Sequence, residues 1–257
     1  MSNIHKAFEN KKAFIPFITC GDPDIETTEQ IVIEAEKNGA DLIELGIPFS
    51  DPTAEGPVIQ GANLRALQGG ITTDKVFDMV KRLRETVKVP LVIMTYANVV
   101  FSYDADRFMA KCADCGIDGV ILPDLPYEEK EEFAPTARKH GVALIPLIAP
   151  TSHDRIAMIA REAQGFIYIV SSLGVTGIRS EIKTDIGAIV QVVRENTDTP
   201  CAVGFGISTP EQAKKMADLS DGAIVGSAVI KIMAEHGKDS PKYVGEYVRK
   251  MKDGIMA

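Results

Sequence analysis

Short apolar runs rich in Val and Ile recur at Ala13–Thr19, Asp41–Gly46, Pro90–Tyr96, Asp118–Pro123, Val142–Ile148, Phe166–Ser171, Cys201–Gly204 and Ala223–Gly226. Each has the length and composition of a buried strand. Between them, Ile25–Asn38, Thr73–Val87, Asp104–Cys115, Glu128–His140, Asp154–Ala163, Ile182–Asn196 and Pro210–Leu219 place apolar residues three and four apart, the spacing of an amphipathic helix. Asp24 before Ile25, Thr73-Asp74 before Val76 and Ser208-Thr209-Pro210-Glu211 supply helix starts. Strand and helix alternate throughout, the mark of parallel βαβ units. Eight such strands in a chain of this length predict a closed (β/α)₈ TIM barrel, with an open doubly wound sheet as the alternative.

The spacing is uneven. Most strand starts lie two or three dozen residues apart, but from Asp41 to Pro90 the gap nearly doubles. The surplus is an acid-bearing loop, Ile47–Glu55, and an extra helical piece, Val58–Leu67. A second long connection, Ser171–Arg179, follows the sixth strand. In a barrel these loops lie on the face where chemistry occurs, so they are candidate lids. No linker or composition break divides residues 1–257. The expectation is one domain with an extra N-terminal helix and extended loops after strands 2 and 6.

With 45% hydrophobic residues the 257-residue chain can bury a large core, and a net charge of -8 leaves no basic surface to follow a phosphate backbone. This argues against nucleic acid. No apolar run approaches the roughly 20 residues of a membrane span, and MSNIHKAFENKK has no apolar signal core, so a cytoplasmic protein is expected. Four cysteines are too few and too scattered for a disulfide framework. Cys112-Ala-Asp-Cys115 sits in a helical pattern without a second pair, which favours a structural role.

At the predicted strand ends stand Asp22, Glu44, Asp51, Glu55, Tyr96, Asn98, Asp124 and Tyr168. None of the ends carries the lysine a Schiff base needs, and His5, His140, His153 and His236 are dispersed, so no metal site is expected. Acid–base chemistry by carboxylates remains. Alternation puts Leu42, Glu44 and Gly46 on one face and Ile43 and Leu45 on the other. The apolar pair suits the helix-facing side, so Glu44 points into the barrel, where burial raises a carboxyl pKa toward the range useful for proton transfer. The last two strands run into Val203-Gly204-Phe205-Gly206-Ile207-Ser208 and Val225-Gly226-Ser227, glycine turns at helix starts that suit a phosphate. Phe17, Phe49, Tyr96, Tyr168 and Phe205 could line a flat apolar pocket.

The motifs Leu45-Gly46-Ile47-Pro48-Phe49-Ser50-Asp51-Pro52, Gly56-Pro57, Tyr96-Ala97-Asn98, Asp124-Leu125-Pro126, Gly174-Val175-Thr176-Gly177, Gly204-Phe205-Gly206-Ile207 and Gly226-Ser227 together resemble the tryptophan synthase alpha subunit family, in order over nearly the whole chain. The resemblance implies a barrel that cleaves indole-3-glycerol phosphate to indole and glyceraldehyde 3-phosphate, with no cofactor in this chain. It makes Glu44 the acid–base residue, Glu55 the second acid and Tyr168 a neighbour of the reacting centre. Phe17, Tyr96, Thr176, Gly177, Phe205, Gly206, Gly226 and Ser227 become substrate and phosphate contacts. It also implies a beta subunit carrying pyridoxal phosphate, an α2β2 tetramer, internal passage of indole, and Asp51 and Asn98 at the interface. The family pattern has Asp at the position of Glu55, so here the acid reaches one methylene further.

Two rival readings exist. Isomerases of the histidine and tryptophan pathways resemble one another in acids at the ends of strands 1 and 5, where this chain has Ile18-Thr19 and Leu147-Ile148. A regulatory subunit that binds ligand without useful catalysis would not need Glu44.

Overall fold

The computed structural model describes residues 3–171 and 185–257. Its strands are β1 (Ala13–Thr19), β2 (Ile43–Gly46), β3 (Leu91–Met94), β4 (Gly119–Ile121), β5 (Ala143–Ile145), β6 (Leu147–Ile148), β7 (Ile167–Val170), β8 (Cys201–Gly204) and β9 (Gly222–Val225). All recorded pairings are parallel, in the order β5-β4-β3-β2-β1-β9-β8-β7-β6. The two ends of that order are consecutive in the chain. β5 and β6 are halves of one crossing strand parted at Pro146, whose missing N–H interrupts the ladder. The first half pairs with β4 and the second with β7, so the sheet closes into the expected eight-stranded barrel.

Among the described residues the helices are α1 (Ile25–Lys37), α2 (Pro57–Gln68), α3 (Thr73–Leu83), α4 (Ala97–Tyr103), α5 (Ala105–Cys115), α6 (Ala134–His140), α7 (His153–Arg161), α8 (Ile186–Arg194), α9 (Pro210–Leu219), α10 (Ser227–His236) and α11 (Ser240–Met256). None is long and apolar enough to cross a membrane. Their apolar stripes cover the outward strand positions: Val76, Phe77, Val80 and Leu83 of α3 are buried, as are Ile43 and Leu45 of β2.

Several local outcomes differ from the pattern-based expectation. The helix expected over Glu128–His140 is a 3-10 stretch, Tyr127–Glu132, followed by α6. Pro135 has no N–H for the i−4 bond and its ring crowds the carbonyl four residues earlier, which breaks the helix there. α4, just after β3, was not foreseen. It starts where the Asp124 carboxylate accepts from the Ala97 N–H at 3.0 Å, a cap supplied from the next strand's loop. α10 and α11 extend the wall beyond the last foreseen helix.

The N-terminal helix is a five-residue 3-10 turn, Asn3–Ala7, that plugs the bottom of the barrel. Ile4 is fully buried, and Cβ atoms built on Gly119 and Gly165 would stand 3.1 and 3.0 Å from its Cδ1. The missing side chains at those glycines make the room it fills. Asp118 ties the plug to the wall, accepting from the Asn3 N–H at 3.0 Å while Arg84 donates to its other oxygen at 2.7 Å.

Candidate active site

Residues paired across a sheet share a face, and the register Phe17↔Glu44↔Val92 points all three side chains into the barrel. At the upper end of the barrel lies a cavity of about 40 Å³. Phe17, Glu44, Glu55, Met94, Leu147 and Tyr168 line its walls, and Phe205, Gly206, Gly226 and Ser227 close another side. The fold thus brings together Phe17, Glu44, Glu55, Tyr168, Phe205, Gly206, Gly226 and Ser227 of the sequence-predicted residues, while Asp22 is taken up by Arg65, Asp124 caps α4, and Phe49, Tyr96 and the two interface candidates do not line the cavity. Tyr96 stands just behind, its hydroxyl accepting from the Ala54 N–H at 3.0 Å and donating to the Glu55 carboxylate. Phe49 packs against it with the rings tilted by 32° and their centres 5.1 Å apart.

Glu44 is 1% exposed and neither carboxyl oxygen has a partner. An ionised carboxylate would not be stable there without a donor. Burial, reinforced by the charge of Glu55, pushes its pKa up to about 8, so it holds a proton at neutral pH with both oxygens free for a ligand. Glu55 is also buried and its pKa is raised by burial, but Tyr96 and Asn63 both donate to it and pull it back. The Asn63 Nδ2 contact is 3.1 Å. Both acids are therefore pushed up by burial but set apart by their partners: Glu44, with no donor, rises to about 8, while two donors favour the carboxylate form of Glu55 and oppose its rise.

The Tyr168 ring lies over Gly204, where any Cβ would overlap it, and its phenol pKa is driven well up by burial and then by Glu44. At the far side Phe205 and Gly206 both have positive φ, +76° and +77°, and α10 begins at Gly226 with no side-chain cap, unlike α9 with its Thr209/Gln212 capping box. An uncapped helix start beside glycines leaves backbone N–H groups for an anion.

Asp51 and Asn98 lie outside this cavity. Both are exposed, Asp51 in the loop after β2 and Asn98 in the first turn of α4. Thr176 and Gly177, with most of the Ser171–Arg179 loop, lie outside the described residues. The four cysteines are buried and unpaired, and the described residues contain no group of three or more His, Cys, Asp and Glu that could hold a metal.

Pattern reasoning did not find Asn63, nor Ile59, Met94, Pro123, Leu147 and Ile224 in the wall. The signal for Asn63 was present: an amide at helical spacing among Ile59, Ala62 and Ala66, all buried on one face of α2. A polar group on an apolar stripe needs a partner.

A family model described as tryptophan synthase alpha chain matches residues 4–256. A tryptophan synthase alpha chain from Lacticaseibacillus casei is 47% identical over 257 residues, covering 100% of this chain and 97% of that protein. Among solved structures, the tryptophan synthase alpha chain of Legionella pneumophila superposes with a TM-score of 0.89 at 38% identity, covering 100% of this chain and 98% of that one. A chain of the tryptophan synthase α2β2 complex of Pyrococcus furiosus superposes with a TM-score of 0.86 at 34% identity, covering 94% and 98%.

Proposed function

The chain belongs to the tryptophan synthase alpha chain family, and we propose that Glu44 and Glu55 perform that family's cleavage of indole-3-glycerol phosphate in it. The reaction is a carbon–carbon lyase step that yields indole and glyceraldehyde 3-phosphate. The observation that carries the assignment is Glu44, a buried carboxyl with no protein partner beside a second acid that has two donors.

The chemistry follows from that asymmetry. Protonated Glu44 gives its proton to C3 of the indole ring, and the ring nitrogen takes up positive character that the Glu55 carboxylate stabilises. The Glu44 carboxylate so formed removes the proton from the glycerol hydroxyl next to C3. The bond between ring and side chain then breaks: the O–H pair becomes the aldehyde C=O, and the bonding pair restores the enamine of indole. Glu44 ends protonated, as it began. The apolar wall of Phe17, Ile59, Met94 and Leu147 excludes water and strengthens these charge interactions. Gly206, Gly226 and Ser227 receive the phosphate, and Tyr168 packs against the reacting centre. No step asks for a cofactor in this chain; pyridoxal phosphate belongs to the beta subunit's own reaction.

The partner is a beta subunit, in a cytoplasmic α2β2 assembly like that of the Pyrococcus furiosus relative. Two apolar side chains support a docking face on the upper rim: Phe101 of α4 is 71% exposed and Leu64 of α2 57%. Asp51 and Asn98 belong to the same loop and helix set. Thr176 and Gly177 complete the substrate contacts by resemblance.

Indole release by the purified chain from indole-3-glycerol phosphate tests the assignment. Glu44→Gln, which keeps the shape and loses the proton, is expected to reduce kcat at least roughly 1000-fold. Glu55→Ala is expected to abolish most cleavage; activity near wild type would remove Glu55 from the mechanism.

A further inference from the structure

Glu55 precedes α2 by only two residues, and the helix folds its own side chains back onto it. Gln60 donates from Nε2 to the Glu55 carbonyl at 2.7 Å, and Asn63 donates from Nδ2 to Glu55 Oε2 at 3.1 Å. Asn63 is 4% exposed, so its amide cannot exchange this contact for water. Two residues further on, Arg65 grips Asp22 in the loop after β1 with two bonds of 2.8 Å, Nε to Oδ1 and the terminal nitrogen to Oδ2. Asp22 is itself buried. A planar two-bond fork fixes orientation as well as distance. α2 is therefore locked to the barrel wall, and Asn63 stands on a fixed base.

A glutamate has one more rotatable bond than an aspartate. Without restraint its carboxylate would sweep the cavity mouth rather than meet the indole nitrogen. Two donors hold it, the Tyr96 hydroxyl and the Asn63 amide. Asn63 reaches Glu55 from outside the strand ends, and it does not line the cavity. We infer that Asn63 is a positioning residue for the cleavage reaction: it touches no substrate atom and acts by orienting the Glu55 carboxylate, on a helix that the Arg65–Asp22 pair holds in register.

The inference rests on the catalytic reading of Glu55, and the test separates the two. Steady-state kinetics of indole release would be measured for wild type, Asn63→Ala, Glu55→Gln and the double variant, together with Tm for each. Asn63→Ala is expected to lower kcat roughly 10- to 100-fold while KM for indole-3-glycerol phosphate stays within about threefold, because substrate contacts are untouched. In the Glu55→Gln background the same substitution is expected to have little further effect on kcat, since no carboxylate remains to orient. Asn63→Ser, smaller than Asn and still polar, serves if the alanine variant is not folded at the assay temperature, and the same split is expected of it. Wild-type kcat in the folded Asn63 variants, with Glu55→Gln inactive, overturns the inference and leaves the role of Glu55 intact. Full additivity of the two substitutions also overturns it, because Asn63 then acts through something else. Wild-type activity in Glu55→Gln instead overturns the reading beneath it.

Discussion

Glu44, the proposed acid, is costly to the fold because it is buried without a partner. In the unfolded chain its carboxyl titrates near the ordinary value of 4.5, and in the folded barrel burial raises this to about 8. Between those values the folded state holds a proton that the unfolded state has lost. Stability from this group is full below about 4.5, falls as pH rises to about 8, and is flat above. Glu44→Gln removes the dependence, so thermal melts across pH 5 to 9 should show the variant gaining on wild type as pH rises, by roughly 5–10 °C at the alkaline end. Parallel curves at all pH values would mean that Glu44 is not buried as described. The proposed catalysis carries the same sign: kcat/KM should decline above about pH 8 as Glu44 loses the proton assigned to the first step. Gly204 is a second residue-scale constraint. Tyr168 occupies the space of its absent side chain, so Gly204→Ala must displace the ring or the strand, with an expected loss of about 1–3 kcal/mol in denaturant unfolding and a larger loss of activity.

Among the elements, α2 and α4 are each set by contacts outside themselves. α2 looked like an extra helical piece in a long connection. Its buried stripe and its Arg65 fork make it the frame for Glu55. Arg65→Ala would leave the Asp22 carboxylate buried without a partner, and a destabilisation of about 1–3 kcal/mol is expected by chemical denaturation. α4 ends and α5 begins at Asp104, a non-glycine residue with φ of +73° whose side chain caps α5 by accepting from the Arg107 N–H at 3.0 Å. Asp104→Ala loses the cap and keeps the strained backbone, and should cost about 1–2 kcal/mol; Asp104→Asn keeps the cap and tolerates that backbone, and should be close to neutral. The apolar periodicity made most strands and helices legible. Boundaries were less so, because Pro135 breaks a helix that periodicity alone would continue, and Asp124 starts one from a distant loop.

Over the whole molecule, stability depends on closing the barrel and sealing its bottom. β5 and β6 close it from two sides of Pro146, and Ile4 fills the space left by Gly119 and Gly165. Ile4→Ala should cost about 2–4 kcal/mol with little change in kcat at temperatures where the variant is folded, because the plug lies at the opposite end from Glu44. Asp41 fastens the last helix, α11, to the first strand: it accepts from the Phe14 N–H at 2.8 Å and from Lys252 at 2.7 Å, and pairs with Lys11. The sequence by itself determined the barrel, the inward aim of Glu44, the glycine turns that suit a phosphate, and the family, because these depend on local spacing and short motifs. Only the tertiary structure decided that Glu44 has no partner, that Asn63 and Tyr96 both donate to Glu55, and that Arg65 locks α2 to Asp22. Those contacts join residues eight to 43 positions apart, and no period in the chain encodes a distance across a closed sheet.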